Sequence, residues 1–183
     1  GKKVLNEALE LSALENCPVH VFETCRVYHG SIFRMKEHID RLFESAKTVG
    51  LVISKDRASI ENELRSVLTS ITKKDHVFFR LTVMAKDSII FVFSRSHPGE
   101  ICRRGIDLNT VAVRRPSSGS FPPEAKTNQF LGAILGTLDV PRGCADDVLF
   151  LSHDGLVREL SVWNIFIVKE SDIITPPPTG ILD

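Results

Sequence analysis

Two residues about thirty positions apart carry the chemistry of this chain. Lys126 stands in the run Pro122-Pro123-Glu124-Ala125-Lys126-Thr127-Asn128-Gln129-Phe130-Leu131. Glu159 stands in Gly155-Leu156-Val157-Arg158-Glu159-Leu160-Ser161-Val162-Trp163-Asn164-Ile165-Phe166-Ile167-Val168. A lysine amine condenses with an aldehyde to give a Schiff base and can carry a cofactor covalently. A carboxylate keeps a heteroaromatic ring nitrogen protonated, and the cationic ring then draws electrons from a neighbouring carbanion. Alone, each residue is commonplace, since most lysines are solvated and Glu159 is otherwise an ordinary strand carboxylate. Their two runs together are what is informative.

The elements that must position them belong to a chain of 183 residues, 43% hydrophobic and 25% charged, which suits a soluble globular protein with one or two cores. Lys plus Arg and Asp plus Glu both total 23, so no positive field favours nucleic acid or anionic lipid. The pairs Arg103-Arg104 and Arg114-Arg115 are read as solvated strand ends. No apolar run approaches the roughly twenty residues of a spanning helix, and Gly1-Lys2-Lys3-Val4-Leu5-Asn6-Glu7 lacks a signal-peptide core, so a cytoplasmic address is expected. Cys17, Cys25, Cys102 and Cys144 form no C-x-x-C pair, which argues for reduced core cysteines over a disulfide framework or zinc site. The six histidines have no metal-ligand spacing, and the chain has neither a G-x-x-x-x-G-K-[ST] loop nor a G-x-S-x-G elbow. No metal is expected.

Apolar periodicity alternates between strand and helix. Strands are expected over 19–28 and 31–34, joined at His29-Gly30 as a hairpin, and again over 77–84, 89–94 and 106–113. Ile39, Leu42, Phe43, Ala46 and Val49 recur at helical spacing before Gly50, a glycine suited to the C-terminal cap, which predicts a helix over 36–49. A second helix is expected over 59–70, with Ile60, Leu64, Val67 and Leu68 inward. The first half therefore reads as helices on a largely antiparallel sheet. Pro116-Ser117-Ser118-Gly119-Ser120-Phe121-Pro122-Pro123 is too rich in turn formers for a core element and reads as an interdomain linker. Beyond it, a helix is expected over 127–138 and strands over 147–151 and 156–160. Residues 164–168 are expected to continue that sheet, and 173–175 to follow a turn at Glu170-Ser171-Asp172.

At this level of organisation the chain resembles the class IV pyridoxal-phosphate enzymes, the group of branched-chain and D-amino acid aminotransferases and 4-amino-4-deoxychorismate lyase. The resemblance rests on five ordered stretches: Val21-Phe22-Glu23-Thr24; Phe33-Arg34-Met35-Lys36-Glu37-His38-Ile39-Asp40-Arg41-Leu42-Phe43-Glu44-Ser45-Ala46-Lys47; Ala125-Lys126-Thr127-Asn128; 155–168; and Ile174-Thr175-Pro176-Pro177 with Gly180-Ile181-Leu182. It runs from about residue 19 to the end. It implies an α+β fold of two domains: a small α/β domain over 1–115, a linker over 116–123, and over 124–183 the start of a larger β-barrel-like cofactor domain. Relatives complete their phosphate cup just beyond a Gly-Ile-Leu stretch, whereas Asp183 here follows Leu182, so that domain is expected to be truncated. The approach to Phe22-Glu23 also lacks the glycine that most relatives carry.

The resemblance further implies residue roles. Lys126 holds pyridoxal 5'-phosphate as a Schiff base and shuttles the substrate's proton. Glu159 pairs with the pyridine nitrogen. Arg41 contacts the phosphate, where a guanidinium donates two parallel hydrogen bonds, although between Glu37 and Glu44 it would otherwise form surface ion pairs. Leu182 joins these as a cofactor-binding position, Arg80 faces a substrate carboxylate, and Phe22 lines the substrate pocket. A homodimer is implied, as relatives roof one subunit's pocket with the other's small domain.

As to the reaction, the interval from Lys126 to Leu131-Gly132 resembles the D-amino acid enzyme or the lyase, whereas Arg80 and the Phe33-to-His38 stretch resemble the branched-chain enzymes. The reading is an aminotransferase moving nitrogen from an amino acid to a 2-oxo acid. Its alternatives are the lyase, which eliminates pyruvate from aminodeoxychorismate, and an inactive relative serving as a binding or oligomerisation module.

Overall fold

The computed structural model describes residues 19–71, 77–84, 88–94, 99–115, 122 and 125–177. They fall into two compact units, one of residues 1–95 with 126–128 and the other of 96–125 with 129–183.

The first unit is built on β1 (Val21–Tyr28), β2 (Ser31–Ile32), β3 (Val77–Val83) and β4 (Ser88–Ser94), an antiparallel sheet in the order β2-β1-β3-β4. The β1–β2 connection is a two-residue turn in which His29 and Gly30 both take positive φ, 49° and 76°, the conformation whose twist matches the flanking strands. Helices α1 (Met35–Thr48) and α2 (Arg57–Ser70) follow. The expected ends differ from these by a residue at α1 and by two at the start of α2, where the Asp56 side chain accepts from Ser59 N at 2.7 Å as N-cap. Gly50, at φ 71°, closes α1 by donating its N–H to Lys47 O at 3.2 Å, as its position predicts.

Strand alternation sorts β1 and β3 into two faces. Val21, Val27, Phe79, Leu81 and Val83 join Ile39, Leu42 and Ala46 of α1 and Ile60, Leu64 and Leu68 of α2 in one core. The intervening Phe22, Thr24 and Arg26 lie across from Thr82, Arg80 and Phe78 on the opposite face. A fully buried side chain such as Phe79 contributes about 1.5–3 kcal/mol, so this core holds the sheet to its helices.

In the second unit, β5 (Leu108–Arg114), β6 (Asp147–Leu151) and β7 (Val157–Leu160) form a sheet with β5 and β6 parallel, and β8 (Ile167–Lys169) and β9 (Asp172–Ile174) pair by themselves. Two helices accompany them, α3 (Gly99–Arg104) and α4 (Leu131–Leu138).

Several expectations are corrected. Residues 106–113 do not join the first-half sheet, because β5 hydrogen-bonds to β6. Residues 164–168 do not extend the β5-β6-β7 sheet, because β8 finds its ladder in β9. Arg103-Arg104 ends a short helix instead of a strand, and Arg104 is clamped by both oxygens of Asp146 at 2.9 Å. Residues 127–130 are not helical; the main chain of Asn128 bonds instead to His20, at the approach to β1. Residues 116–121 of the expected linker lie outside the described residues.

Helix α4 packs close to its sheet. A Cβ on Gly136 would lie 2.5 Å from ring carbons of Phe150, which is fully buried, and 3.3 Å from Val111. Gly136→Ala is therefore expected to lower the melting temperature. Overpacking costs about 1–3 kcal/mol against the roughly 1 kcal/mol gained in helix propensity, which leaves a net loss of up to about 2 kcal/mol. A rise on thermal denaturation would contradict the packing described.

Candidate functional site

Lys126 is anchored through its main chain. The segment 126–128 lies antiparallel against the start of β1, on the edge that β2 covers only at Val27 and Tyr28. Phe22 N donates to Lys126 O at 3.1 Å, Asn128 N donates to His20 O at 3.2 Å, and Asn128 Oδ1 accepts from His20 N at 3.2 Å. On the other side, Lys126 N donates to Ser45 Oγ of α1 at 3.0 Å. These bonds hold the main chain of 126–128 extended against β1, and the helix starts only at Leu131. They leave the lysine side chain to be aimed by its fixed backbone, and Nζ lies 5.0 Å from the centre of the Phe22 ring.

The same strand carries both sides of the arrangement. On the helix-free face, Phe22 is 6% exposed, with Arg80 of β3 stacked on its ring at 4.0 Å. Burial pulls the Arg80 pKa below its ordinary value, and among the described residues no carboxylate pairs with it. Two positions beyond Thr24 on β1, Arg26 lies between the rings of Tyr28 at 4.7 Å and Phe78 at 5.4 Å, and its buried Nε has no hydrogen-bond acceptor among the described residues. Sequence reasoning overlooked this second stacked arginine. Its cross-strand aromatic neighbours were the available sign.

On the helix face, one position along, Glu23 is 1% exposed. Arg41 grips it through two nitrogens, Nε to Oε1 and Nη2 to Oε2, the latter at 2.9 Å. His38 Nδ1 lies 2.8 Å from Oε2 and is the donor there, as a carboxylate only accepts. Thr24 N adds a longer contact at 3.3 Å. Burial by itself pushes the Glu23 pKa up. The hydrogen bonds from His38 and Arg41 and the charges of Arg41 and Lys126 outweigh that, so the carboxyl is held below its ordinary value of 4.5. Glu23, His38 and Ser45 carried no assigned role in the sequence reading. Arg41 and His38, three apart on a helix, point the same way, but nothing in the sequence says that β1 presents a carboxylate to them. Arg41 thus has a buried carboxylate as its partner and not the surface acids Glu37 and Glu44. Cys25, beside this cluster, is buried and its thiol is pushed up to about 12, which removes it as a nucleophile.

In the second unit, Glu159 sits on β7 across from Phe150. Arg115 Nε comes within 2.8 Å of Glu159 Oε1, off the axis of a directed hydrogen bond, so the contact is an ion pair. The Arg115 guanidinium also stacks 4.2 Å over Phe150, and its Nη2 donates to Leu160 O at 3.1 Å. A half-buried arginine therefore fixes Glu159. Leu182 lies outside the described residues.

Among the described residues no group of three or more His, Cys, Asp or Glu could hold a metal ion, and no helix is long and apolar enough to cross a membrane.

The family model described as amino-transferase class IV matches residues 20–183. A putative branched-chain-amino-acid aminotransferase of Methanocaldococcus jannaschii is 30% identical over 169 residues, covering 86% of this chain and 58% of that protein. A branched-chain-amino-acid aminotransferase of Pseudomonas aeruginosa is 30% identical over 182 residues, covering 89% of this chain and 59% of its own length. Among solved structures, the branched-chain aminotransferase of the thermophilic archaeon Thermoproteus uzoniensis, crystallised with norvaline, superposes with a TM-score of 0.80 at 24% identity, over 90% of this chain and 61% of that one. The α+β fold expected from the sequence is the fold of that enzyme over the part the chain spans. The chain thus spans 58% and 59% of the length of the two curated relatives.

Proposed function

Because the chain belongs to the class IV aminotransferases, we propose that it works as a pyridoxal-phosphate-dependent transaminase, taking nitrogen from a branched-chain or D-type amino acid and delivering it to a 2-oxo acid. The observation that carries this reading is the placement of Lys126: a backbone tied to β1 and Ser45, with its amine beside the face of Phe22 and in the field of the Glu23 carboxylate.

The donor set fits the cofactor. An amine for its aldehyde, a guanidinium for its phosphate and a carboxylate for its ring nitrogen are present as Lys126, Arg41 and Glu159. When bound, pyridoxal phosphate supplies the electron sink that stabilises charge at the substrate α carbon. The chain's own residues do the rest. Lys126 would carry the cofactor through its Nζ, and the same amine would move the substrate's α proton. Arg41 holds the phosphate. Glu159, ion-paired with Arg115, holds the proton on the ring nitrogen. Phe22 walls the substrate and turns water away from Lys126, and Arg80, stacked and without a carboxylate partner among the described residues, receives a substrate carboxylate. Leu182 belongs with the cofactor residues on resemblance alone. A cytoplasmic homodimer completes the reading on resemblance alone; of the cysteines expected in the core, Cys25 is buried whereas Cys102 and Cys144 are exposed.

The test is an absorbance spectrum of the full chain before and after borohydride reduction, with peptide mass analysis. A near-visible band that reduction removes, leaving a phosphopyridoxyl mass on Lys126, is expected. A colourless protein that takes up no added cofactor would overturn the reading in favour of a binding or oligomerisation module. Turnover of an amino acid only when a 2-oxo acid is present is expected; release of pyruvate from aminodeoxychorismate without one would make it the lyase.

A narrower result is expected at Arg80. Losing a charge-assisted bond to a substrate carboxylate costs about 1.5–3 kcal/mol. Arg80→Met should therefore raise KM for the carboxylate-bearing substrate about ten- to a hundredfold, with the cofactor spectrum intact. An unchanged KM would remove Arg80 from the substrate site.

A further inference from the structure

Glu23 has no part in the roles just assigned, yet it is the most deeply buried charged group described on the helix face of β1, and two groups of α1 converge on it. The geometry points to Glu23 as the positioning residue for phosphate recognition by Arg41, with His38 as its second anchor. This inference rests on the cofactor reading above and deepens it.

A carboxylate that is 1% exposed is not placed there by hydrophobicity. It is tolerated because Arg41, His38 and Thr24 N donate to it, and those bonds hold it ionised. The arrangement also acts in reverse. An arginine on a helix surface ordinarily samples many rotamers, and selecting one costs entropy each time a ligand binds. A bidentate grip on one edge of the guanidinium fixes its plane and direction in advance. Two N–H bonds of Arg41 go to Glu23, and the side chain keeps 31% of its surface exposed. His38, one turn earlier on α1 and itself bonded to Oε2, keeps the carboxylate from rotating with the arginine.

Electrostatics alone gives the opposite expectation. A negative charge against Arg41 offsets the field that a phosphate dianion meets, so neutralising Glu23 should tighten phosphate binding. Positioning says that neutralising it weakens binding. The sign of one substitution therefore decides. Glu23→Gln keeps the volume and one acceptor but turns an amide N–H₂ toward a donor, which breaks the two-point grip.

The experiment titrates the apo form of the full chain with pyridoxal phosphate and with pyridoxal, which lacks the phosphate, for wild type, Glu23→Gln, Arg41→Ala and the double variant. His38→Gln is carried alongside, should Glu23→Gln not fold. In Glu23→Gln the Kd for pyridoxal phosphate should rise about tenfold or more, the worth of one charge-assisted bond, while that for pyridoxal stays within about twofold. On the Arg41→Ala background the same substitution should have no further effect on the phosphate preference. Equal weakening of both compounds would reduce Glu23 to a structural residue, and tighter binding of pyridoxal phosphate would make it only an opposing charge; either overturns the inference. Wild type binding neither compound would overturn the cofactor reading itself, and this inference with it. Wild type binding both equally would leave the cofactor reading standing and remove the phosphate role of Arg41 together with that of Glu23.

Discussion

Lys126→Ala should abolish the borohydride-reducible band and lower turnover by about 10²–10⁴-fold or more, since it removes both the covalent attachment and the group that moves the α proton. The protein should remain folded. The described anchors of residue 126 are made by its carbonyl and its N–H, to Phe22 N and Ser45 Oγ, and alanine keeps both. Thermal denaturation within a few degrees of wild type, with turnover gone and partly restored by added methylamine, is the expected set of results. If the alanine variant turned over at the wild-type rate, the assignment of the lysine would be wrong. If it unfolded, Lys126 would be a structural residue of the β1 edge.

Glu23→Leu is expected to be the most destabilising polar substitution in the first unit. Breaking a buried pair by removing one member costs about 3–5 kcal/mol, because the other member keeps its charge without its partner. The lower end applies, as Arg41 and His38 are 31% and 21% exposed and can turn to water. The loss depends on pH in a stated direction. A carboxyl whose folded pKa is depressed below 4.5 contributes stability that is fully present above 4.5 and is lost as pH falls through the folded value. Wild type should therefore lose stability on acidification below 4.5 more steeply than the leucine variant, and the two urea midpoints should converge there. Curves that stay parallel into acid would show that the Glu23 ionisation is not linked to folding.

Much of this was legible from local pattern. The period of Ile39, Leu42 and Ala46 marked α1 to within a residue, His29-Gly30 supplied the positive φ values of the hairpin, and Gly50 closed the helix where expected. These are properties of neighbouring residues. What went unread depends on partners distant in sequence. Residues 127–130 have helix-compatible side chains, but His20 and Phe22, far earlier in the chain, take up the main-chain groups of 126 and 128. β8 was assigned to the wrong sheet because an apolar strand does not declare which edge it will join. The site divides in the same way. Lys126, Arg41, Phe22 and Arg80 could be singled out, and the structure groups them around β1. The Glu23–His38–Arg41 cluster could not, as it exists only once a strand and a helix are laid face to face.

β1 makes two different surfaces from consecutive letters, Phe22 to the side away from α1 and Glu23 to the helix side. Deleting a single residue from its middle would exchange those surfaces for every position before the deletion, leaving the Phe22 ring where the arginine needs an acid and Val21 where the lysine needs a ring. The strand therefore reads like a two-channel tape whose frame matters more than any one symbol, and length changes in 21–28 should be tolerated far less readily than most substitutions there.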